Sequence, residues 1–188
     1  MNTSTTIAAL VQTDTVRADA MLYEALHQRK NAGWTIRGLV SVPLAAEPGQ
    51  VSKNTIVENL HTGERHAIMQ SRGKDTRGCR LNPIALTSAG DELRHALGTR
   101  PDLAVINRFG TSEAEGGGFC AEIIDLVSAG IPLLLVVTDR YLGAWRHFIG
   151  GSDYELPCSR PALDAWLDSL PRQAADETQS LDTGITAS

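Results

Sequence analysis

The densest set of groups that could do chemistry in this sequence is the stretch NRFGTSEAEGGGF, residues 107–119. Asn107 offers an amide and Arg108 a guanidinium, directly after an apolar run, and Gly110 follows them. Glu113 and Glu115 beside Arg108 could supply acid–base chemistry. Alternatively, Arg108 pairs with Glu113 or Glu115 and holds the loop in shape. Asn107 either hydrogen-bonds a ligand or stitches neighbouring loops together. Gly116, Gly117 and Gly118 either bring backbone N–H groups close to a ligand at a helix N-terminus or form a flexible entry to that helix.

A second set lies in RGKDTRGCR, residues 72–80. Arg77 and Arg80 could converge with Arg108 on one anion, because guanidinium groups grip oxyanions with paired hydrogen bonds; the competing reading is that they are solvated. Cys79 stands between Gly78 and Arg80, a setting that can lower a thiol pKa. No histidine is tied to it by spacing, and an inert half-buried thiol fits equally. His27, His61, His66, His95 and His147 are scattered, without the pairing a zinc site needs. Trp34, Trp145 and Trp166 read as packing residues rather than a stacking platform.

These groups need a scaffold, and the composition describes one. A chain of 188 residues with 42% hydrophobic and 21% charged content has the makings of one ordinary globular domain. A formal net charge of −5 gives no overall support to nucleic acid or an anionic membrane as partner. No apolar run approaches the roughly 20 residues of a membrane span, and MNTSTTIAALVQTD lacks the basic flank of a signal peptide. Cys79, Cys120 and Cys158 are odd in number and widely spaced, which suits a reducing compartment. The expectation is a cytoplasmic protein.

The elements follow from periodicity. IAALV is a continuous apolar run, as in a strand buried on both faces, and residues 14–30 follow with helical spacing. Residues 35–40 read as a second strand, making a β-α-β unit with a right-handed crossover. Residues 55–60 and 65–69 flank HTGE as a hairpin, and 71–80 reads as a long exposed loop. Pro83 opens a helix to about residue 97. DLAVIN and IPLLLVV are further buried strands, separated by a helix over 113–129. Two helices, over 140–149 and 161–170, close a domain spanning 1–170, and 171–188 reads as a loose tail. Strands alternating with helices imply an α/β fold of three layers, with a mostly parallel sheet and a β-hairpin insertion. Ligands of such sheets sit outside the carboxyl ends of the strands. That places Gln12 and Thr13, Asn107 to Gly110, and Thr138 to Tyr141 along one edge.

The same stretch 107–119 resembles the Walker B region of the small P-loop nucleoside-triphosphatases of archaea, bacteria and animals. Phe109, Gly110, Glu113 and Phe119 match that pattern, while Asn107 and Arg108 stand where the family has an Asp-Glu pair. GWTIRGLVS, NLHTGER and RGCRLNPIAL fall in the same order as further family segments. More closely, LVQ, RGCRLNP, NRFG with EAEGGGF, and YLGAW followed by a Gly-Gly pair resemble a bacterial family of unestablished activity, associated with nitrogenase and molybdenum genes. The resemblance implies the P-loop-nucleotidase fold.

It also implies that the usual hydrolysis is lost. A Walker A loop needs glycines that cradle phosphate, a lysine for the β/γ-phosphates and a hydroxyl for magnesium. The corresponding QTDTVRADAM has no glycine, Ala18 at the lysine position and Asp19 at the hydroxyl. Asp14 and Asp19 would repel a polyphosphate there. The expected function is therefore non-hydrolytic binding of a small anion, a nucleotide or an oxyanion such as molybdate. Its expected contacts are Gln12, Thr13, Arg77, Arg80, Asn107, Arg108, Gly110, Glu113, Gly116 and Gly117, with no cofactor named and no structural metal. The alternatives are a protein-interaction module and a nucleotide-acting enzyme in which Glu113, Glu115 and Asp19 form a non-standard site. No nucleic-acid or membrane partner is expected; self-association is compatible with a domain of this size.

Overall fold

The computed structural model describes residues 6–13, 15–43, 56–67, 69–71, 79–81, 83–152 and 154–172. The first unit runs β1 (Ile7–Gln12), α1 (Thr15–Asn31), β2 (Ile36–Ser41). The hairpin β3 (Ile56–Asn59) and β4 (Arg65–Ala67) comes next. The short strands β5 (Met69–Ser71) and β6 (Cys79–Leu81) precede α2 (Pro83–Thr99) and β7 (Leu103–Phe109). Then come α3 (Thr111–Ala114), α4 (Cys120–Ser128), β8 (Leu133–Thr138), a 3-10 turn over Asp139–Tyr141, α5 (Leu142–Ile149), β9 (Glu155–Pro157) and α6 (Arg160–Ser169).

Seven strands form one sheet in the order β4-β3-β2-β7-β8-β1-β9. The β2–β7, β7–β8, β8–β1 and β1–β9 pairings are parallel, and the hairpin adds antiparallel β3 and β4 at one edge. Short of their carboxyl ends, β1, β7 and β8 are apolar at successive positions because both faces are covered. Ala8, Leu10, Leu103, Val105, Leu134 and Val136 pack toward Leu22 and Leu26 of α1 and Leu163 and Leu167 of α6. The alternate residues Ile7, Ala9, Ala104, Ile106, Leu133 and Leu135 pack toward Leu93 of α2, Ile123 of α4 and Trp145 of α5. This is the three-layer α/β architecture that the sequence predicts.

Several boundaries differ from the sequence reading. Residues 71–80 are not wholly loop, since Ser71 closes β5 and Cys79 opens β6, and these two strands pair antiparallel. The helix expected over 113–129 is two helices, because Gly116 (φ 82°) and Gly118 (φ 56°) adopt left-handed backbone between α3 and α4. The helix expected from 140 begins only at Leu142, after the 3-10 turn. β9 is too short and mixed in polarity to be read from sequence, yet it pairs with β1 from Ala9 to Val11. Among the described residues no helix is long and apolar enough to cross a membrane.

Candidate functional site

The carboxyl ends of β1, β8, β7 and β2 line up Gln12, Thr138, Phe109 and Ser41. Gln12 is opposite Thr138, and Phe109 is opposite Val137. Gln12 is buried, and Thr13, the next residue, is exposed. The register slips between Ile106 and Phe109, where β7 takes three steps while β8 takes two. Such a bulge re-aims side chains. Alternation from Val105, which faces α1, would put Phe109 on the α1 face as well. Instead Phe109 packs with Trp145 of α5, ring centroids 5.5 Å apart, and Arg108 turns toward α1.

There Arg108 meets Asp19. Its Nη2 donates to both carboxylate oxygens, at 2.8 and 3.0 Å. Burial raises the Asp19 carboxyl pKa above its ordinary value, and the charge and hydrogen bond of Arg108, helped by the Ser41 hydroxyl, offset this only in part. Asn107 accepts from the Ser41 backbone N–H and hydroxyl, both at 2.8 Å, and so ties the end of β7 to the end of β2. Two polar atoms at this edge, Arg108 Nε and Thr138 Oγ1, are buried without a hydrogen-bond partner among the described residues. Such atoms are rare in folded proteins, and a bound ligand or water is the usual reason for them.

Glu113 has a different job. It is buried, its Oε2 accepts from Gly110 N–H at 2.9 Å and its Oε1 from Phe119 N–H at 3.1 Å. The Cys120 thiol donates to its carbonyl at 3.3 Å. Gly116 and Gly117 spend their N–H groups on the carbonyls of Glu113 and Ser112, at 3.0 and 2.8 Å. A Cβ at Gly118 would stand 2.0 Å from Glu113 Oε1. The acidic residue and the glycines thus form one closed turn. In the structure Glu113 holds the loop, and Gly116 and Gly117 direct no free N–H at a ligand. Arg108 pairs with neither Glu113 nor Glu115, because the bulge has carried it to the α1 side.

Beyond β8 the 3-10 turn presents a cation that lacks a carboxylate partner among the described residues. Arg140 donates from Nη2 to the Tyr141 hydroxyl, lies over that ring at 4.5 Å, and the same hydroxyl bonds Thr111 Oγ1. Of the other sequence candidates, Arg77 lies outside the described residues. Arg80 lies in β6, with its side chain outside the description. The site pairing that sequence reasoning missed is Asp19 with Arg108. Its one signal was that both are charged residues at positions where the P-loop resemblance expects neither an acid in α1 nor a base at the end of β7.

The same pair decides whether magnesium fits. P-loop enzymes hold the ion with a Walker A hydroxyl and a Walker B acid; the resemblance puts Asp19 at the first place and Asn107 and Arg108 at the Asp-Glu pair of the second. A guanidinium already occupies the carboxylate, and its charge opposes a divalent cation, so these residues do not fit magnesium. Ala18, at the lysine position, is buried at 1% exposure and brings no charge. Among the described residues no cluster of three or more His, Cys, Asp or Glu side chains is arranged to hold a metal.

Comparison with known proteins agrees with this geometry at the level of fold. A family model described as "Protein of unknown function (DUF2478)" matches residues 7–166. The chain is 32% identical over 161 residues to the molybdenum import ATP-binding protein ModC 2 of Bradyrhizobium diazoefficiens, a match covering 85% of this chain but only 18% of that protein. Among solved structures, THEP1 from the hyperthermophile Aquifex aeolicus superimposes with a TM-score of 0.59 at 12% identity, covering 86% of this chain and 94% of its own. A human cancer-related nucleoside triphosphatase superimposes with a TM-score of 0.57 at 14% identity, covering 86% and 93%. At such identities these two establish the P-loop NTPase-like scaffold and nothing finer.

Proposed function

The chain belongs to the DUF2478 family, and we propose that it is a non-hydrolytic binding protein for a small anion on a P-loop NTPase-type scaffold. The observation that carries this reading is the Asp19–Arg108 pair. It puts an ion pair where phosphoryl transfer needs a metal, which argues against hydrolysis. It also keeps a guanidinium at the strand edge, where Arg108 Nε and, at the end of β8, Thr138 Oγ1 are buried without a hydrogen-bond partner among the described residues. Asp19 acts in this reading as a resident carboxylate that an incoming anion displaces or joins. Arg140 supplies a second cation from the turn after β8.

The anion is a nucleotide phosphate or an oxyanion such as molybdate. The nucleotide is favoured by the fold shared with the human cancer-related nucleoside triphosphatase. Molybdate is favoured by the sequence shared with a molybdenum import protein. Thermal melting of the purified chain with ATP, GTP, ADP, phosphate, sulfate, molybdate and tungstate, with and without magnesium, tests the proposal. A ligand at about 100 times its Kd stabilises by about 2.7 kcal/mol, and the shift should not need magnesium. Asp19→Asn removes the competing carboxylate and should tighten binding, while Arg108→Gln should abolish it. Protonating Asp19 has the same effect as Asp19→Asn. Binding should therefore strengthen as pH falls through the Asp19 titration, which burial places above the ordinary carboxyl range, and should lose that dependence in Asp19→Asn. If no anion shifts the melt, or if Arg108→Gln binds as well as wild type, the anion reading fails and a protein-interaction module takes its place.

A further inference from the structure

At the opposite, amino-terminal edge of the sheet, the last turns of α1 and α2 and the β3–β4 turn border an open cavity of about 270 Å3. Its walls divide by chemistry. Trp34, Leu60 and Pro101 present apolar surface, and Lys30, Arg37 and His61 present nitrogen. Among the described residues no aspartate or glutamate lines it. Lys30 Nζ donates to the Leu60 carbonyl, which anchors the ammonium at the wall while leaving its charge unmatched. Arg37 gives Nη1 to buried Glu92 at 2.8 Å and turns Nη2 toward His61 Nε2 at 3.4 Å. The guanidinium is thus fixed from behind. The adjacent acid, Asp102, is committed to Thr35, accepting from its N–H at 2.8 Å and its hydroxyl at 2.9 Å. The Arg172 guanidinium carbon lies 5.6 Å from the Trp34 ring centre and adds positive potential, whereas Arg29, at 5.4 Å, is paired with Asp164 and Asp168 at 3.3 and 2.6 Å.

Arg29 and Lys30 also offset the negative carbonyl end of α1. Arg37 and His61 stand on a strand and a turn, where no helix end calls for them. We propose that this cavity is a second binding site, separate from the carboxyl edge, for a small organic monocarboxylate. Its head is held by Lys30, Arg37 and His61, and its apolar body lies against Trp34, Leu60 and Pro101. The volume is below the roughly 300 Å3 at which pockets for drug-sized ligands begin, which suits a short chain and is too small for a nucleotide. A bare oxyanion would leave the apolar wall uncovered, and a neutral apolar molecule would leave the Lys30 ammonium without a carboxylate partner among the described residues.

The test titrates the full chain with hexanoate and reads tryptophan fluorescence, with Trp34→Phe identifying the reporting ring. Saturable binding is expected with Kd on the order of 1 mM. Hexan-1-ol and inorganic phosphate should each bind at least about tenfold more weakly. Lys30→Gln should weaken hexanoate by about tenfold and Lys30→Arg should restore it. His61→Ala, at an exposed turn, gives an independent variant should Lys30→Gln unfold. Arg108→Gln should leave hexanoate binding unchanged, which separates this site from the carboxyl edge. A response that does not saturate, equal binding of hexan-1-ol or phosphate, or unchanged binding in both Lys30→Gln and His61→Ala would overturn the proposal.

Discussion

Gly118→Ala is the substitution that most directly tests the role of Glu113. Gly118 has φ 56°, and an alanine forced into left-handed backbone costs about 1–2 kcal/mol. The new Cβ would lie 2.0 Å from Glu113 Oε1 and 2.6 Å from its carboxyl carbon, so the carboxylate must swing away. In doing so it gives up at least the Phe119 N–H at 3.1 Å and strains the one from Gly110 at 2.9 Å. A hydrogen bond to a charged group contributes about 1.5–3 kcal/mol, which brings the expected cost of Gly118→Ala to about 3–5 kcal/mol. Glu113→Ala removes the same bonds directly, at a similar cost. In the double variant the clash has no partner, so the penalties should fall short of additive by about 1.5–3 kcal/mol. Urea unfolding followed by far-ultraviolet circular dichroism, on wild type, each single variant and the double, measures this coupling. Additive penalties, or a Gly118→Ala protein as stable as wild type, would refute the reading of Glu113 as the residue that locks this turn.

Two further outcomes follow from the packing. Gly38 (φ 115°) lies in β2 with its missing Cβ 2.0 Å from the Val105 carbonyl oxygen, a backbone atom of the paired strand that cannot step aside. Gly38→Ala should cost at least about 4 kcal/mol in urea unfolding, and a loss below about 1 kcal/mol would contradict the β2–β7 register. Glu58 is buried but receives hydrogen bonds from the Tyr23 hydroxyl at 2.8 Å and Arg65 Nε at 3.0 Å, and faces His27 Nε2 at 2.9 Å. Burial alone would raise its pKa, yet these partners outweigh it and hold the carboxyl below the ordinary 4.5. A depressed folded pKa means stability present above pH 4.5 and lost as pH falls through the folded value. Tyr23→Phe should remove about 1.5–3 kcal/mol at neutral pH and flatten the acid limb of a stability–pH profile; an unchanged acid limb would assign that limb to other carboxylates.

Much of the fold was legible because buried parallel strands announce themselves. IAALV, DLAVIN and IPLLLVV are apolar at successive positions, and only a sheet covered on both faces asks for that. β9 was not legible, since three residues of mixed polarity at a sheet edge carry no period. The break between α3 and α4 was written in three consecutive glycines. Taken locally it reads as a helix entry, because nothing in the neighbouring residues says that Glu113 will fold back onto Phe119. Asn107 showed the same limit from the other side: its amide could serve a ligand or a loop, and its bonds to Ser41 depend on a strand far away in sequence.

What the sequence alone determined, then, is the α/β scaffold and, through its resemblance to the P-loop nucleotidases, which residue types stand at the places of that family's lysine, hydroxyl and acid. Only the tertiary structure decided what the replacements do. Asp19 and Arg108 are 89 residues apart, and strand alternation by itself assigns Arg108 to the wrong face of the sheet. One extra residue in β7 between Ile106 and Phe109 reverses that assignment, delivering the guanidinium to the carboxylate on α1. A bulge is a property of two paired strands, so neither strand's sequence can declare it alone.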